Sequence, residues 1–394
     1  MKIAFVNLVI TGVIGCLLRY YFYHPFTGLN YSYTLHAHSH LAFLGWVFMA
    51  LYVFLTHAYL PNGLLHTKRY SRTFILLQVA NVGMLVTFPF IGYAFWSIFF
   101  SALHALLAMG FAWVFIRDVS TGLPERHHMS FQFVKWGLIL MILSNLAPFA
   151  LGPVSATQGK GDLYYLLIYF YLHFQYNGWF TFALLGLVFW QLEEQGIATN
   201  NKLLKVGFRL KLFAIFPAYI LSALWIDPGS SWYLVAGLVA ATQLIGLVYL
   251  IVFMIRHIGS LINGESKVLK MLLFAGVLAI GMQHVLMLLS AFPSLAALAF
   301  ARNIVIAYLH MVLLGFVSVW IFFLALKVGF MRVRQVLKAA FILFFAAFMV
   351  TELVLIFQGS IVNSAFWLFV LAVSQLIGIV IITMHVGKKS TLAL

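Results

Sequence analysis

The sequence predicts an all-α polytopic membrane protein, a bundle of twelve transmembrane helices. Three observations support this prediction: the composition, the recurrence of long apolar runs and the distribution of basic residues. Of the 394 residues, 64% are hydrophobic and 8% are charged, whereas about 25% of residues are charged in ordinary soluble domains. Apolar stretches of about 20 residues, the length that crosses a bilayer core of about 30 Å, recur along the whole chain. This composition excludes a water-soluble globular protein.

Breaks at proline, glycine, asparagine and charged residues divide the chain into its predicted spans. Each span must be helical, because an open strand edge in lipid would leave backbone groups without hydrogen bonds. The predicted spans are approximately residues 3–23, 35–57, 73–94, 96–116, 132–152, 163–190, 206–226, 231–256, 268–290, 302–326, 337–357 and 362–386. No soluble domain fits between them, so we expect a single transmembrane domain over residues 1–394.

The basic residues test this count independently, because short cytoplasmic loops of membrane proteins carry an excess of Lys and Arg. With twelve spans, 20 of the 23 basic residues fall on one side, and Arg19, Lys160 and Arg302 fall on the other. The 20 are Lys2, Lys68, Arg69, Arg72, Arg117, Arg126, Lys135, Lys202, Lys205, Arg209, Lys211, Arg256, Lys267, Lys270, Lys327, Arg332, Arg334, Lys338, Lys388 and Lys389. We therefore expect an integral protein of the inner (cytoplasmic) membrane with both termini in the cytoplasm. Because this topology explains the net charge of +15, the charge does not predict a nucleic-acid partner.

Histidine is the main ionisable residue inside the predicted spans, where such residues are costly and mark functional sites by default. Seven histidines fall within spans, and with a rise of about 1.5 Å per residue all seven lie in the outer half of the bilayer. They are His36, His38, His40, His104, His173, His284 and His310. Histidines that serve only in packing would not be expected to lie at the same depth of the bilayer in five different helices. The set therefore predicts a metal or cofactor site, although a single buried histidine such as His104 is more often a hydrogen-bonding group.

Three of these histidines share a local pattern, a glycine five residues further on. The pairs are His40 with Gly45, His173 with Gly178, and His310 with Gly315. The first and third pairs both read HxxxLG. Glycine in a membrane helix usually permits close helix packing, but beside a ligand histidine it also makes room for a large planar macrocycle.

The composition restricts the metal that these histidines would bind. The single cysteine, Cys16, excludes a thiolate cluster and a CxxCH haem attachment. Neutral imidazole suits iron, copper and zinc. With no thiolate and almost no buried carboxylate, haem iron is the most economical prediction.

Helix 2 carries three of the histidines in the stretch LHAHSHLAFLGW. His36 and His40 are four residues apart and share a face, while His38 points about 160° away. Two of the three therefore face one site at most. His36 lies near the outer end, where it would hydrogen-bond a haem propionate or line an entry path.

At these residues the sequence resembles the haem-copper oxidase superfamily, subunit I, and more loosely the NnrS family of membrane haem proteins. That subunit has twelve helices with both ends in the cytoplasm, and NnrS-type sequences carry a WHAHEMxFG-like stretch similar to the one in helix 2. The resemblance implies that His40 and His310 bind a low-spin haem from both sides. It also implies that His173 binds a second metal, with Asn177 where nitric oxide reductases have glutamate.

The sequence departs from this family at two places. The family has a histidine pair on helix 7, whereas residues 206–226 contain no histidine. The family also has a histidine two residues before the low-spin ligand of helix 10, and here that position is Tyr308, which we keep as a cofactor-binding candidate. In compensation, the chain offers His284 and His104. We therefore expect His173, with His284 and either His38 or His104, to form a second metal or haem site.

Glu352 is a carboxylate that lies well inside a span, also in the outer half. It would relay protons or pair with a histidine. With His173 and Asn177 it makes up the predicted catalytic set. Gln175, Asn177 and Gln283 are next to histidines and are candidate hydrogen-bond partners for them.

The residues and the resemblance together predict a membrane protein with one or two haem b groups, and with copper or non-haem iron as the candidate second metal. The expected function is redox chemistry, or binding of nitric oxide or another diatomic ligand, in an oxidoreductase related to nitric oxide reductases. A partner subunit or a quinol would donate electrons. Two alternatives stay open: a haem or copper handling factor for respiratory assembly, and a twelve-helix secondary transporter. The optical spectrum separates the haem protein from the transporter, and a ligand-induced spectral change separates it from the handling factor.

Overall fold

A computed structural model describes residues 1–60, 67–227 and 229–387, and these residues are almost entirely helical. In this part of the chain the only β-type pairing is an isolated antiparallel bridge between Met331 and Val386. The α-helices are Lys2–Tyr23, Tyr31–His40, Met49–Tyr59, Lys68–Ile91, Phe95–Ser120, His128–Ser144, Leu146–Gln158, Asp162–Leu172, Thr181–Glu194, Lys202–Ile215, Ser230–Arg256, Ile258–Ile262, Lys267–Leu289, Pro293–Ala299, Arg302–His310, Val319–Lys327, Gln335–Ile356 and Ser364–Met384. The protein is therefore all-α, as the sequence predicts.

Ten helical stretches of the described residues are long and apolar enough to cross a membrane. They are Lys2–Tyr23, Tyr31–Tyr59, Lys68–Ile91, Phe95–Ser120, Glu125–Gln158, Ser230–Arg256, Lys267–Leu289, Arg302–Lys327, Gln335–Ile356 and Ser364–Met384. Each corresponds to one predicted span. The chain is thus a polytopic membrane protein, and the count of twelve spans stays a prediction.

The two predicted spans outside these ten are 163–190 and 206–226. In the second, the α-helix ends at Ile215 and is followed by two short 3₁₀ segments, Pro217–Ser222 and Leu224–Ile226. Pro217 has no N–H to continue the hydrogen bonding of an α-helix. The apolar run of this span is therefore not one continuous α-helix.

The described residues form two compact units, and each has its own core. Unit 1 comprises the described residues of Met1–Phe111 and Ile321–Leu394, and unit 2 comprises those of Ala112–Trp320. In unit 1 the helix Lys2–Tyr23 packs against Tyr31–His40 and Ser364–Met384. Its largest fully buried side chains include Trp46, Phe48 and Phe54, and those of unit 2 include Trp179, Phe180 and Phe182.

Three helix contacts in unit 2 matter for the site. The helix Lys202–Ile215 packs along Ser230–Arg256, which in turn packs against Lys267–Leu289. The helix His128–Ser144 packs against Thr181–Glu194. These contacts bring polar residues of three neighbouring helices to one place.

In the part of the chain that the structure describes, three π-helical segments of eight residues each interrupt the α-helices. We call them π1 (Leu41–Phe48), π2 (His173–Phe180) and π3 (Met311–Ser318). The segment π2 begins at its motif histidine, and the other two begin directly after His40 and His310. Such helices make up well under 1% of residues in globular proteins and occur frequently at functional sites. All three HxxxxG motifs therefore share one uncommon backbone conformation.

A repeated side-chain hydrogen bond accompanies two of these segments. The hydroxyl of Thr181 donates to the carbonyl of Tyr176, and that of Ser318 donates to the carbonyl of Leu313, each at 2.7 Å and each five residues back. The hydroxyls of Thr11, Thr56 and Thr351, by contrast, each donate to the carbonyl four residues back. In an α-helix, residues i and i+5 are separated by about 140° around the helix axis. In a π-helix, the i→i+5 hydrogen bonds bring these two residues close to the same side of the helix. The π geometry thus places each motif histidine nearer to the side of its glycine.

Two of the motif glycines lie against a neighbouring helix. The side-chain amide of Asn7 donates to the carbonyl of Gly45 at 2.7 Å, and a Cβ on Gly45 would lie 3.3 Å from that nitrogen. A Cβ on Gly178 would lie 3.1 Å from Cβ of Leu140. Both glycines therefore permit close helix packing, which is the simpler of their two sequence interpretations.

Candidate functional site

His40 lies in unit 1 with one ring nitrogen fixed and the other available. Its Nδ1 is 2.8 Å from the carbonyl of His36, in the preceding turn. Because a carbonyl oxygen accepts, Nδ1 carries the proton and Nε2 carries the lone pair. Among the described residues no hydrogen bond engages Nε2. A metal-binding histidine commonly donates its other ring N–H to a carbonyl in this way, which sets its tautomer and orientation.

His36 and His40 share a face of helix Tyr31–His40, as their spacing predicts. The ring of His36 lies 4.6 Å from that of Tyr93, and the ring of His40 lies 4.5 Å from that of Phe88. Each ring also contacts the other of these two aromatic side chains. Together the four rings form an aromatic surface beside the available nitrogen of His40.

His38 points away from this surface. Its Nδ1 is 3.0 Å from the carbonyl of Thr11 in the first helix, and a Cβ on Gly15 would lie 3.1 Å from its ring. This contact joins helices Lys2–Tyr23 and Tyr31–His40. His38 therefore has a packing role in unit 1, and its assignment as a metal ligand stays a prediction that this contact does not favour.

His104 belongs to unit 1 and is 1% exposed. Its Nε2 is buried without a hydrogen-bond partner in the described structure. The ring lies edge-on to Phe48, the last residue of π1, at 5.1 Å, and it interacts electrostatically with His40. An unsatisfied buried polar group costs about 1–3 kcal/mol. This nitrogen therefore resembles a ligand or hydrogen-bonding position rather than a satisfied packing group.

His173 lies in unit 2, and both of its ring nitrogens are engaged. Its Nε2 is 2.9 Å from the carbonyl of Ile215, to which it donates. Its Nδ1 accepts from the side-chain amide of Asn177 at 3.2 Å, and Oδ1 of Asn177 accepts from Gln283 at 2.6 Å. Asn177 is on the same face one turn away, as its spacing predicts. The contact with a backbone carbonyl is the simpler alternative to metal binding for this histidine.

Tyr308 extends this set of contacts. Its side chain interacts electrostatically with those of Gln283 and Tyr176, and the rings of Tyr176 and Tyr308 lie 6.1 Å apart. Gln283 Oε1 is buried without a partner in the described residues. Tyr308, Gln283, Asn177 and His173 thus form a continuous polar chain inside unit 2.

His284 is engaged by a lysine that the sequence analysis placed in a loop. Nζ of Lys211 lies 2.6 Å from Nε2 of His284 and 2.8 Å from Oε1 of Gln243. Nδ1 of His284 lies 2.8 Å from the carbonyl of Ile280, to which it donates. Both nitrogens of His284 are therefore used, and Nε2 accepts from the ammonium.

The count of 20 basic residues in loops is wrong at Lys211. This residue is 1% exposed and lies in helix Lys202–Ile215. In the sequence, Lys211 comes shortly after Lys202, Lys205 and Arg209, so it resembles a member of a group of basic loop residues. The signal that identifies it is its position inside the predicted span 206–226, where a charge is costly. Sequence reasoning also missed Gln243, whose side chain completes the contact.

His310 and Glu352 are the remaining predicted site residues. His310 is half-buried in unit 2 and precedes π3 directly. Glu352 is in unit 1, where its Oε1 is buried without a hydrogen bond and its charge interacts with that of Arg19. Arg19 lies within helix Lys2–Tyr23, near its end. The catalytic assignment of Glu352 stays a prediction.

The residues present fit haem better than they fit a second metal ion. Among the described residues, no three His, Cys, Asp or Glu side chains are arranged to hold a metal ion. His173 and His284 have both ring nitrogens engaged. A haem needs one or two imidazole nitrogens, and His40 presents one in the appropriate tautomer. The buried Nε2 of His104 is a further unsatisfied donor or acceptor beside it.

Comparison with known proteins assigns no family. No protein-family model matches the chain, and no curated protein matches it. The class of protein that the structure supports is therefore an all-α integral membrane protein with buried histidine sites.

Proposed function

We propose that the chain is a membrane b-type haem protein of the kind that the sequence resembles, with His40 as an axial ligand of the iron. The observation that carries the proposal is the state of His40: its Nδ1 is bonded to a backbone carbonyl, and its Nε2 is open beside an aromatic surface. The sequence pairs His40 with His310, and each of the two directly precedes a π-helical segment.

The aromatic and polar neighbours of His40 indicate how the cofactor would be held. When bound, haem iron supplies reversible one-electron chemistry and, where a position is open, binding of a diatomic ligand. His36, Phe88 and Tyr93 line the surface next to the ligand nitrogen. We infer that these side chains orient the macrocycle and exclude water from it.

The contacts in unit 2 favour electron transfer or binding of a small diatomic ligand over reduction of dioxygen. Dioxygen reduction in the resembling family uses a second metal next to the haem, and the nitrogens of His173 and His284 are engaged elsewhere. Asn177 is neutral where nitric oxide reductases have a carboxylate, so it is a poor proton donor. We therefore propose nitric oxide or another diatomic as the ligand, and a partner subunit or a quinol as the electron donor.

The test is spectroscopic and uses the full-length protein in detergent. His40→Ala and His310→Ala should each remove the sharp α band of the reduced low-spin haem, because each removes one axial nitrogen. His24→Ala, at an exposed histidine of the same unit as His40, should leave the band unchanged. If both ligand variants keep the band, the ligand assignment is wrong.

A further inference from the structure

Unit 2 contains a buried cation at the place where the sequence analysis expects a second metal. The expected ligands there were His173 and His284. The structure gives His284 a different partner, the ammonium of Lys211, which also contacts the oxygen of Gln243. A nitrogen lone pair and an amide oxygen therefore both point at Nζ, the donor types that bind a small metal cation.

The surrounding helices are built to let this lysine reach His284. A Cβ on Gly246 would lie 2.9 Å from Cγ of Lys211, and a Cβ on Gly207 would lie 2.9 Å from the carbonyl of Gly246. The two glycines allow helices Lys202–Ile215 and Ser230–Arg256 to touch, and the lysine stem passes over Gly246. The amide of Gln243 also donates to the backbone carbonyl of Lys211 at 3.0 Å, which fixes the base of the side chain.

The charge of Lys211 has only neutral partners in this cluster. Lys211, Gln243 and His284 are 1%, 1% and 2% exposed. Within the described parts of the chain, none of the ion pairs joins a carboxylate to Lys211. A charged side chain in a membrane-embedded interior is expensive and marks a functional site by default.

The cluster is also connected to His173. Ile215, whose carbonyl accepts from His173, lies one turn after Lys211 in the same helix. Gln283, which donates to Asn177, is adjacent to His284 in sequence. Lys211 and His173 are thus connected through hydrogen bonds and the backbones of two helices.

We propose that the ammonium of Lys211 is the resident cation of this cluster and takes the place that the sequence assigns to a second metal ion. A metal ion at His284 would have to displace the ammonium from Nε2 and bring a second positive charge next to it. The Lys211 side chain therefore occupies the position at His284 that a metal ion would otherwise take.

The first measurement is the metal content of the purified full-length protein after incubation with Cu²⁺, Fe²⁺ or Zn²⁺ and desalting. We expect no stoichiometric metal beyond haem iron in the wild type. One copper, iron or zinc ion per chain that is lost in His284→Ala or His173→Ala would overturn the proposal. This readout does not depend on the presence of haem.

The second measurement is the metal content of Lys211 variants treated in the same way. Lys211→Ala leaves Nε2 of His284 and Oε1 of Gln243 without the nitrogen that contacts both, so it should take up metal that the wild type does not. The double variant Lys211→Ala/His284→Ala should lose this metal. Lys205→Ala, at an exposed lysine of the same helix, is the matched control and should behave as the wild type.

A Lys211→Ala variant that takes up no more metal than the wild type contradicts the place that we assign to Lys211 and leaves the haem assignment standing. A protein that binds no haem contradicts the proposed function, and the metal content still decides the role of Lys211.

Discussion

A hydrogen bond at one nitrogen of an imidazole fixes the tautomer, and so decides whether the other nitrogen has a lone pair that can bind a metal. His40 uses Nδ1 on its own helix backbone, so Nε2 is left as a lone pair. His173 and His284 have both nitrogens engaged. Residues with the same sequence-based assignment therefore divide into a ligand-like histidine and two members of a hydrogen-bonded cluster.

Asn177 is the residue on which the polar chain of unit 2 depends most. Asn177→Ala leaves Nδ1 of His173 and the amide of Gln283 without their shared partner, and each unsatisfied buried group costs about 1–3 kcal/mol. We expect a clearly lower midpoint of thermal unfolding in detergent. Asn200→Ala, at an exposed asparagine, should change stability by no more than about 0.5 kcal/mol. Equal midpoints for the two variants would show that the chain of hydrogen bonds contributes little.

At the scale of elements, the three π-helical segments recur at regular intervals. They occupy the second, sixth and tenth predicted spans, so every fourth span carries one. Each has eight residues, begins at or directly after a motif histidine and contains the glycine five residues after that histidine. The sequence shows the spacing of histidine and glycine, but the change from i→i+4 to i→i+5 bonding depends on packing that no local pattern reveals.

A second element-scale feature joins the start of helix His128–Ser144 to the end of helix Thr181–Glu194. The side chain of Glu193 is fully buried and lies 3.0 Å from Nδ1 of His127. It also accepts from the backbone N–H of Ser130 at 3.2 Å and from the hydroxyl of Thr199. The sequence analysis did not single out Glu193, because it follows the apolar run and resembles a surface residue.

Glu193→Gln should destabilise unit 2 by about 2 kcal/mol, because the amide cannot satisfy all the donors that the carboxylate accepts. Glu125→Gln, at an exposed glutamate of the same unit, is the matched control and should change stability by no more than about 0.5 kcal/mol. Thermal unfolding in detergent measures both. A larger loss for the Glu125 variant would contradict the importance of the buried contact.

At the scale of the whole molecule, ten apolar helical stretches show an integral membrane protein, while the orientation depends on the charges of its loops. Lys211 is buried, so it no longer belongs to the basic residues that predict the orientation. Lys388 and Lys389 lie outside the described residues. The asymmetry among the remaining basic residues still predicts both ends in the cytoplasm.

A pair of reporter fusions tests this orientation. A reporter after Leu394 should report the cytoplasm, and one inserted near Gly229, in a loop without basic residues, should report the exterior. A reversal of either result would remove the argument that the seven histidines share the outer half of the bilayer.

Much of the fold follows from the sequence, because apolar length and loop charge are local properties. The helical class, the places of ten spans and the shared face of His36 and His40 all come from such patterns. The partners of His38 and Lys211 do not, since each depends on a helix distant in sequence. A buried lysine near other basic residues has the same local pattern as a loop lysine.

The haem content of the purified full-length protein, measured with its reduced-minus-oxidised spectrum, tests the central claim most directly. The account predicts at least one b-type haem per chain and a sharp reduced α band that His40→Ala abolishes. A folded protein that contains no haem, although it was expressed with an ample haem supply, would contradict the account.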